Sequence, residues 1–292
     1  MQVIVNGAIS GLEIAVLGLA FQLVYLPTKV FHISLGALYS AAPFMAWECL
    51  RQGLPPLPAI FIGIAGTVLL SSAMEAFNHG RLAGRQGSFT AHFVSSLGMY
   101  IIIVQFVAVV WGNDPKLLRD SGDPVTNIAD TVFITNSEWW TVGVCVAMIA
   151  VFFGWLRYTD IGLQFRGLAD NPGELALRGY SVRRLRYLAF GISGAMVGTT
   201  SILIARDTGF WSHGGLSILL LAIVAAIIGG RFSFFGAVIG GLLLGLGRAE
   251  VEWYIHAKWA DAATFALLVV FLLFRPDGII TRRARLEAEA RA

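Results

Sequence analysis

Residues 90–111 read Thr90-Ala-His-Phe-Val-Ser-Ser-Leu-Gly-Met-Tyr-Ile-Ile-Ile-Val-Gln-Phe-Val-Ala-Val-Val-Trp111, a run without a single Asp, Glu, Lys or Arg. A bilayer core about 30 Å thick takes about 20 helical residues to cross, and this run is long enough. Working outward, the apolar runs at 3–27, 31–49, 56–77, 138–156, 187–205, 214–230, 234–249 and 260–274 read the same way. The pair 214–230 and 234–249 is short and Gly-rich, so either member could be a half-helix or part of a re-entrant pair. Eight or nine transmembrane helices are therefore expected, in an all-α polytopic bundle with 1–292 as one transmembrane domain. Composition agrees: 57% of residues are hydrophobic, 13% charged, and the mean hydropathy is +0.72. Soluble domains carry about 25% charged residues.

Charge placement orients the spans. Lys29, the connections 78–89 and 157–186, Arg231 and the tail from Arg275 hold 15 of the 21 Lys and Arg. The opposite connections hold ten of the 18 acids, among them Asp114, Asp120, Asp123, Asp130 and Glu138 in the loop 112–138. Basic connections stay cytoplasmic, which puts the N-terminus outside and the C-terminus inside. The formal charge of +3 is thus a topology signal, and no nucleic-acid partner is expected. The first run holds Glu13 and Gln22, lacks a basic leader and a small-residue cleavage site, and so reads as a retained span. Cys49 and Cys145 sit at or inside apolar runs and read as small core residues without a disulfide.

Enzyme machinery is scarce. No G-x-x-x-x-G-K-[ST] loop, H-E-x-x-H or C-x-x-C is present, and His32, His79, His92, His213 and His256 are scattered over different spans and loops. No metal or other cofactor is expected on this chain. Whatever crosses must then be driven by a gradient or by another subunit. Gly236-x-x-x-Gly240 and Gly241-x-x-x-Gly245 share one run, and Gly191, Gly194 and Gly198 another. Small residues at this spacing let helix backbones approach in lipid, so intramolecular packing is expected there, with Gly229 and Gly230 just before.

Polar side chains inside apolar runs are costly and are functional candidates. Glu13, Gln22, His32, Ser34 and Tyr39 are candidates for a translocation path. Glu13 and Gln22 are nine residues apart, half a turn out of phase. Glu75, near the inner end of its run, is expected to snorkel.

The longest inner connection mixes Leu163, Leu168, Leu175 and Leu177 at helical spacing with Arg166, Asp170, Asn171 and Arg178. Asn171-Pro172 predicts a turn, because the residue before proline avoids the α region. Glu174 and Arg178 stand at the i,i+4 spacing that favours a second short helix. Helix, turn and helix over about 158–186 are more than a connector needs, and the segment is a candidate docking element for a cytoplasmic partner.

Three stretches resemble the permease subunits of branched-chain amino-acid-type ABC importers, whose relatives include those for urea and amides. Thr159-Asp-Ile-Gly-Leu-Gln-Phe-Arg-Gly-Leu-Ala-Asp-Asn-Pro172, followed by Ala176-Leu-Arg-Gly179, is similar to the family's cytoplasmic Thr-x-x-Gly-x-x-x-Arg signature. Ile227-Ile-Gly-Gly-Arg-Phe-Ser-Phe-Phe-Gly-Ala-Val-Ile-Gly-Gly-Leu-Leu-Leu-Gly245 resembles its Gly-Gly-x-Gly-Ser-x-x-Gly-Ala run. Arg275-Pro-Asp-Gly-Ile279 resembles its Arg-Pro-x-Gly-Leu. With Gly11, Leu17-Gly-Leu19 and Tyr25, the resemblance extends over nearly the whole chain. It departs at His32-Ile-Ser-Leu-Gly-Ala37, where the family commonly has Asn-Phe-Ala-His-Gly-Glu.

The resemblance implies a multi-pass protein of the bacterial inner (plasma) membrane that forms half of a solute path. It implies a homologous second permease, two cytoplasmic ATPases and a periplasmic or surface solute-binding protein as partners, besides membrane lipid. ATP and Mg would sit on the ATPases. Thr159, Gly162, Arg166, Asp170, Asn171 and Arg178 would couple to those subunits, and the acidic loop would receive the binding protein. Two rivals follow from the residues alone: a gradient-driven secondary transporter with Glu13 as ion relay, and a membrane enzyme needing convergent His, Asp or Glu.

Overall fold

The computed structural model describes all residues except 86, 119–123, 129–131, 231–232, 276 and 281–292. Asp120, Asp123, Asp130, Arg231 and most of the basic tail therefore lie outside the described residues. In chain order the helices are α1 (Gln2–Thr28), α2 (Leu35–Arg51), α3 (Pro56–Met74), a π segment (Glu75–His79) and α4 (Gly80–Gly84). Then come α5 (Phe89–Trp111), a hairpin of β1 (Val125–Ile128) and β2 (Val132–Thr135), α6 (Asn136–Tyr158), α7 (Asp160–Asp170) and α8 (Pro172–Leu177). The chain continues through α9 (Val182–Thr208), α10 (Gly215–Gly229), α11 (Phe234–Tyr254) and α12 (Ala260–Phe274). Seven of these helices, with α3 running on to Gly84 and the last counted from Ala257, are long and apolar enough to cross a bilayer. The chain is a polytopic helical membrane protein.

Local sequence explains the boundaries. Ser88 caps α5 by accepting from the Ala91 N–H at 3.2 Å, and Ser233 caps α11 from Gly236 at 3.3 Å. Such side-chain oxygens satisfy helix N–H groups that have no intrahelical partner. Gly112 and Gly209, both with positive φ, close α5 and α9. The second apolar run becomes helical only at Leu35; residues 31–34 form a turn instead. The β-hairpin, with Val125 opposite Thr135 and Ile128 opposite Val132, is an addition to the expected all-α fold.

The chain divides into two compact units. One holds residues 1–22, 121–146 and 218–292. There Ile14, Val224, Ala225, Ile228 and Leu244 form an apolar core, and α1, α10 and α11 meet through glycines. A Cβ on Gly241 would stand 2.5 Å from the backbone of Ala15, and one on Gly11 3.0 Å from Leu242 Cα. Gly229 and Gly236 face each other across the turn between α10 and α11.

The other unit holds residues 23–120 and 147–217. Its centre is α2, α3 and α9. A Cβ on Gly194 would meet the Thr67 carbonyl at 2.8 Å, and one on Gly63 would meet Ile202 at 2.9 Å and the Ala42 carbonyl at 3.0 Å. Phe44 packs edge-on to Phe210 at 4.8 Å, and Val107 and Ala205 join them. Lipid tails are as apolar as leucine, so close van der Waals contact between small residues is what holds such helices together.

Candidate functional site

The segment 159–180 is built from its own sequence outward. The Thr159 hydroxyl donates to the Trp155 carbonyl at 2.7 Å and accepts from the Gly162 N–H at 3.0 Å. One side chain thereby ends α6 and starts α7. A Cβ at position 162 would sit 2.6 Å from the Leu156 carbonyl, so only glycine lets α7 turn this tightly. Phe165 and Leu168 are fully buried, with Phe165 against the Trp155 ring at 5.1 Å, and these contacts seat α7.

Asn171 lies in extended backbone and caps α8 by accepting from the Glu174 N–H at 3.2 Å. Arg178 reaches Glu174 at 2.6 Å with both side chains more than half exposed. An exposed i,i+4 pair of this kind contributes about 0.3–0.5 kcal/mol. Asp170 is exposed and not isolated. The outer face presents Leu163 at 61% and Leu177 at 90% exposure, with Tyr158 and Tyr180 beside them. Arg166 is half-buried, and its Nε is enclosed without a hydrogen-bond partner. The result is a two-helix shelf whose outer surface mixes exposed Leu163 and Leu177 with the charged side chains of Asp160, Asp170, Glu174 and Arg178.

Each of the five path candidates has its own surroundings. Gln22 donates both to the Gly230 and to the Ser233 carbonyls at 3.0 Å, bracing the turn between α10 and α11. Glu13 is half-buried and has partners. Ser34 is enclosed: its N–H donates to Ser96 Oγ at 3.1 Å and its hydroxyl to the Ser96 carbonyl at 3.0 Å. Tyr39 is half-buried, and its carbonyl accepts from the Ser201 hydroxyl. His32 is fully buried with both ring nitrogens unpartnered, 4.8 Å from Phe190 and 5.6 Å from His79 between ring centres.

A buried polar cluster appears that the sequence reading did not assemble. His79 Nδ1 lies 3.3 Å from His92 Nδ1, and both rings approach His32 and Phe190 through His79. Glu75 does not snorkel. It is 1% exposed and takes a two-pronged grip from Arg186, Nε to Oε1 at 2.5 Å and Nη2 to Oε2 at 3.0 Å. One signal was available in the sequence: Ala59, Gly63, Thr67, Ser71, Glu75 and His79 recur every four residues, a small and polar ridge along one run. Among the described residues, no group of three His, Cys, Asp or Glu side chains converges as a metal site.

Residues 3–272 match the family described as the branched-chain amino acid transport system permease component. The chain belongs to this permease family. Relatives of the permease span nearly its full length. The high-affinity branched-chain amino acid transport system permease LivH of Escherichia coli K12 is 25% identical, covering 97% of this chain and 96% of its own. BraD of Pseudomonas aeruginosa, of the same description, is 26% identical over the same shares. The fructose import permease FruG of Bifidobacterium longum is 24% identical over 85% of this chain and 75% of its own.

Among solved structures, PsaBC from Streptococcus pneumoniae in complex with Fab superposes with a TM-score of 0.54 at 13% identity, covering 96% of the permease and 92% of that chain. At that identity the likeness concerns the fold alone. Within the permease, the Ser34–Ser96 link gives a modest test of the second helix's seat. Intramembrane hydrogen bonds average about 0.6 kcal/mol and reach about 1.7. Ser96→Ala is therefore expected to lower the apparent melting point by no more than a few degrees in detergent. A loss of folded protein would show that this link anchors the turn.

Proposed function

We propose that this permease is one half of the solute path of an ATP-driven importer for a branched-chain amino acid or a related small polar solute. As a single transmembrane permease domain of the bacterial inner (plasma) membrane, it crosses eight or nine times, N-terminus outside and C-terminus in the cytoplasm. A homologous second permease completes the path, a periplasmic or surface binding protein delivers solute, and two ATPase subunits carry ATP and Mg. The chain itself holds no cofactor and catalyses nothing.

The observation that carries the reading is the shelf at 159–180. Thr159, Gly162 and Asn171 fix its two helices, while Leu163, Leu177 and Arg166 face outward or stand half-exposed. A capped two-helix shelf of mixed apolar and charged side chains between two long apolar helices fits a groove on an ATPase and can transmit its closure to the spans. Relatives whose names specify branched-chain amino acids or fructose match 97% and 85% of this chain. Fold alone therefore leaves the solute to the side chains of both permeases and to the binding protein.

The test is ATP-dependent uptake in vesicles carrying all subunits. Arg166→Glu is expected to reduce uptake of labelled leucine, isoleucine or valine at least tenfold at unchanged membrane levels, with ATP hydrolysis persisting. Unchanged uptake would remove the docking role. Uptake by this chain without ATPases would favour a gradient-driven carrier with Glu13 as its relay.

A further inference from the structure

Helices α3 and α9 are joined along one continuous seam. On α9 the seam residues are Arg186, Phe190, Gly194, Gly198 and Ile202; on α3 and the π segment they are Glu75, Ser71, Thr67 and Gly63. Both sets step by four residues, the ridge that interlocks when two helices pack closely. The contacts run in order. Arg186 grips Glu75 with two prongs, and the Ser71 hydroxyl donates to the Phe190 carbonyl at 2.6 Å. Gly194 lies on the Thr67 carbonyl, Gly198 on the Thr67 side chain, and Ile202 on Gly63.

The π segment keeps that seam aligned. In an α-helix each step of four residues advances about 40° past a full turn, so a ridge of fours drifts off its face. The wider π turn, closed here by the Gly80 N–H on the Glu75 carbonyl, falls back and returns the ridge to the core. Glu75 and His79, 1% and 0% exposed, both lie within it. His79 then meets His92 on α5 at 3.3 Å and the His32 ring in the turn before α2. The other end of the chain of contacts is α9 itself, whose N-cap Ser181 stands four residues past the end of α8.

We propose that Glu75 and Arg186 are positioning residues for transport: they clamp the π segment to the start of α9, so that displacement of the 159–180 shelf moves α3 and α9 as one body. A buried two-pronged ion pair suits that role. Sliding one helix past the other would leave buried charges unpaired, which is strongly resisted. The His79 imidazole, at the end of the π segment, passes the displacement to His92 on α5. This inference rests on the shelf being the ATPase dock.

The test uses the complete importer in nanodiscs, with Cys49 and Cys145 replaced by serine and spin labels placed at Ala83→Cys and Arg184→Cys. Both label sites are exposed. The parent is expected to give one narrow distance distribution that is unchanged between nucleotide-free and MgATP states. Arg186→Lys keeps the charge but loses the fork, and Glu75→Gln with Arg186→Gln removes the fork without leaving a lone buried charge. Each is expected to widen the distribution on adding MgATP and to raise ATP hydrolysed per solute carried at least threefold.

Narrow, unshifted distributions and parental coupling in both variants would overturn the clamp. If Arg166→Glu uncouples the importer while these variants do not, the clamp fails and the dock stands. If Arg166→Glu is silent as well, the dock fails with it.

Discussion

Gly241→Leu is expected to leave almost no folded permease in the membrane, while Gly247→Leu, less than two turns along the same helix, accumulates to parental levels. The difference lies in what a side chain would meet. At Gly241 the first added carbon would stand 2.5 Å from the backbone N and Cα of Ala15 and 2.8 Å from its Cβ. These are backbone atoms and a Cβ of α1, so nothing flexible is there to give way. At Gly247 nothing lies within 4 Å, and the position is exposed. Pushing α11 off α1 would also open the contact of Gly245 with Gly11. Large core misfits cost about 1–3 kcal/mol when side chains can adjust and more when they cannot. Immunoblots of membranes at equal transcript levels read the outcome. Equal accumulation of both variants would show that these helices separate without loss of the fold.

Glu75→Ala is the second large effect. It leaves the Arg186 guanidinium, 12% exposed, without its carboxylate. Breaking a buried pair from one side costs about 3–5 kcal/mol, whereas removing both charges together is often nearly neutral. The single variant is expected to unfold at markedly lower temperature, with a half-life at 37 °C shortened more than tenfold. Glu75→Met with Arg186→Met should recover most of the loss. Half-life in detergent is the quantity to follow, because a multi-helix membrane protein does not unfold in a single reversible step. A double variant as unstable as the single one would place the stabilisation in the packing of either side chain and not in their charges.

The sequence was legible where the physics is local. Charge-free runs such as 90–111 became α5 to within a residue, because length and apolarity are the whole requirement for a span. The break at Asn171-Pro172 fell between α7 and α8 because proline restricts its neighbour wherever it occurs. The Glu174–Arg178 pair formed because four residues along a helix are neighbours in any fold.

What stayed hidden depends on partners far along the chain. Glu75 reads as a snorkelling end residue until Arg186, separated by 111 positions, is seen beside it. His32, His79 and His92 read as scattered because three different elements bring them together. The hairpin at 125–135 carries four-residue strands, too short for their alternation to stand out from an acidic loop. The second apolar run begins its helix late because Ser34 hydrogen-bonds to Ser96, which the run itself cannot announce.

Helix α10 has fifteen residues, Gly215–Gly229, and so measures about 22 Å against a hydrocarbon layer of about 30 Å. Its first N–H is received by Ser40 Oγ at 3.0 Å, a side chain synthesised 175 residues earlier. The order of synthesis matters for that reason. When the ribosome releases this short helix, the acceptor for its unsatisfied end already stands in the membrane. The mature seat is thus a dock prepared by the first third of the chain for a late arrival. A gene rearranged to make 214–280 ahead of 35–51 would present the insertion machinery with an apolar helix too short to hold its place alone.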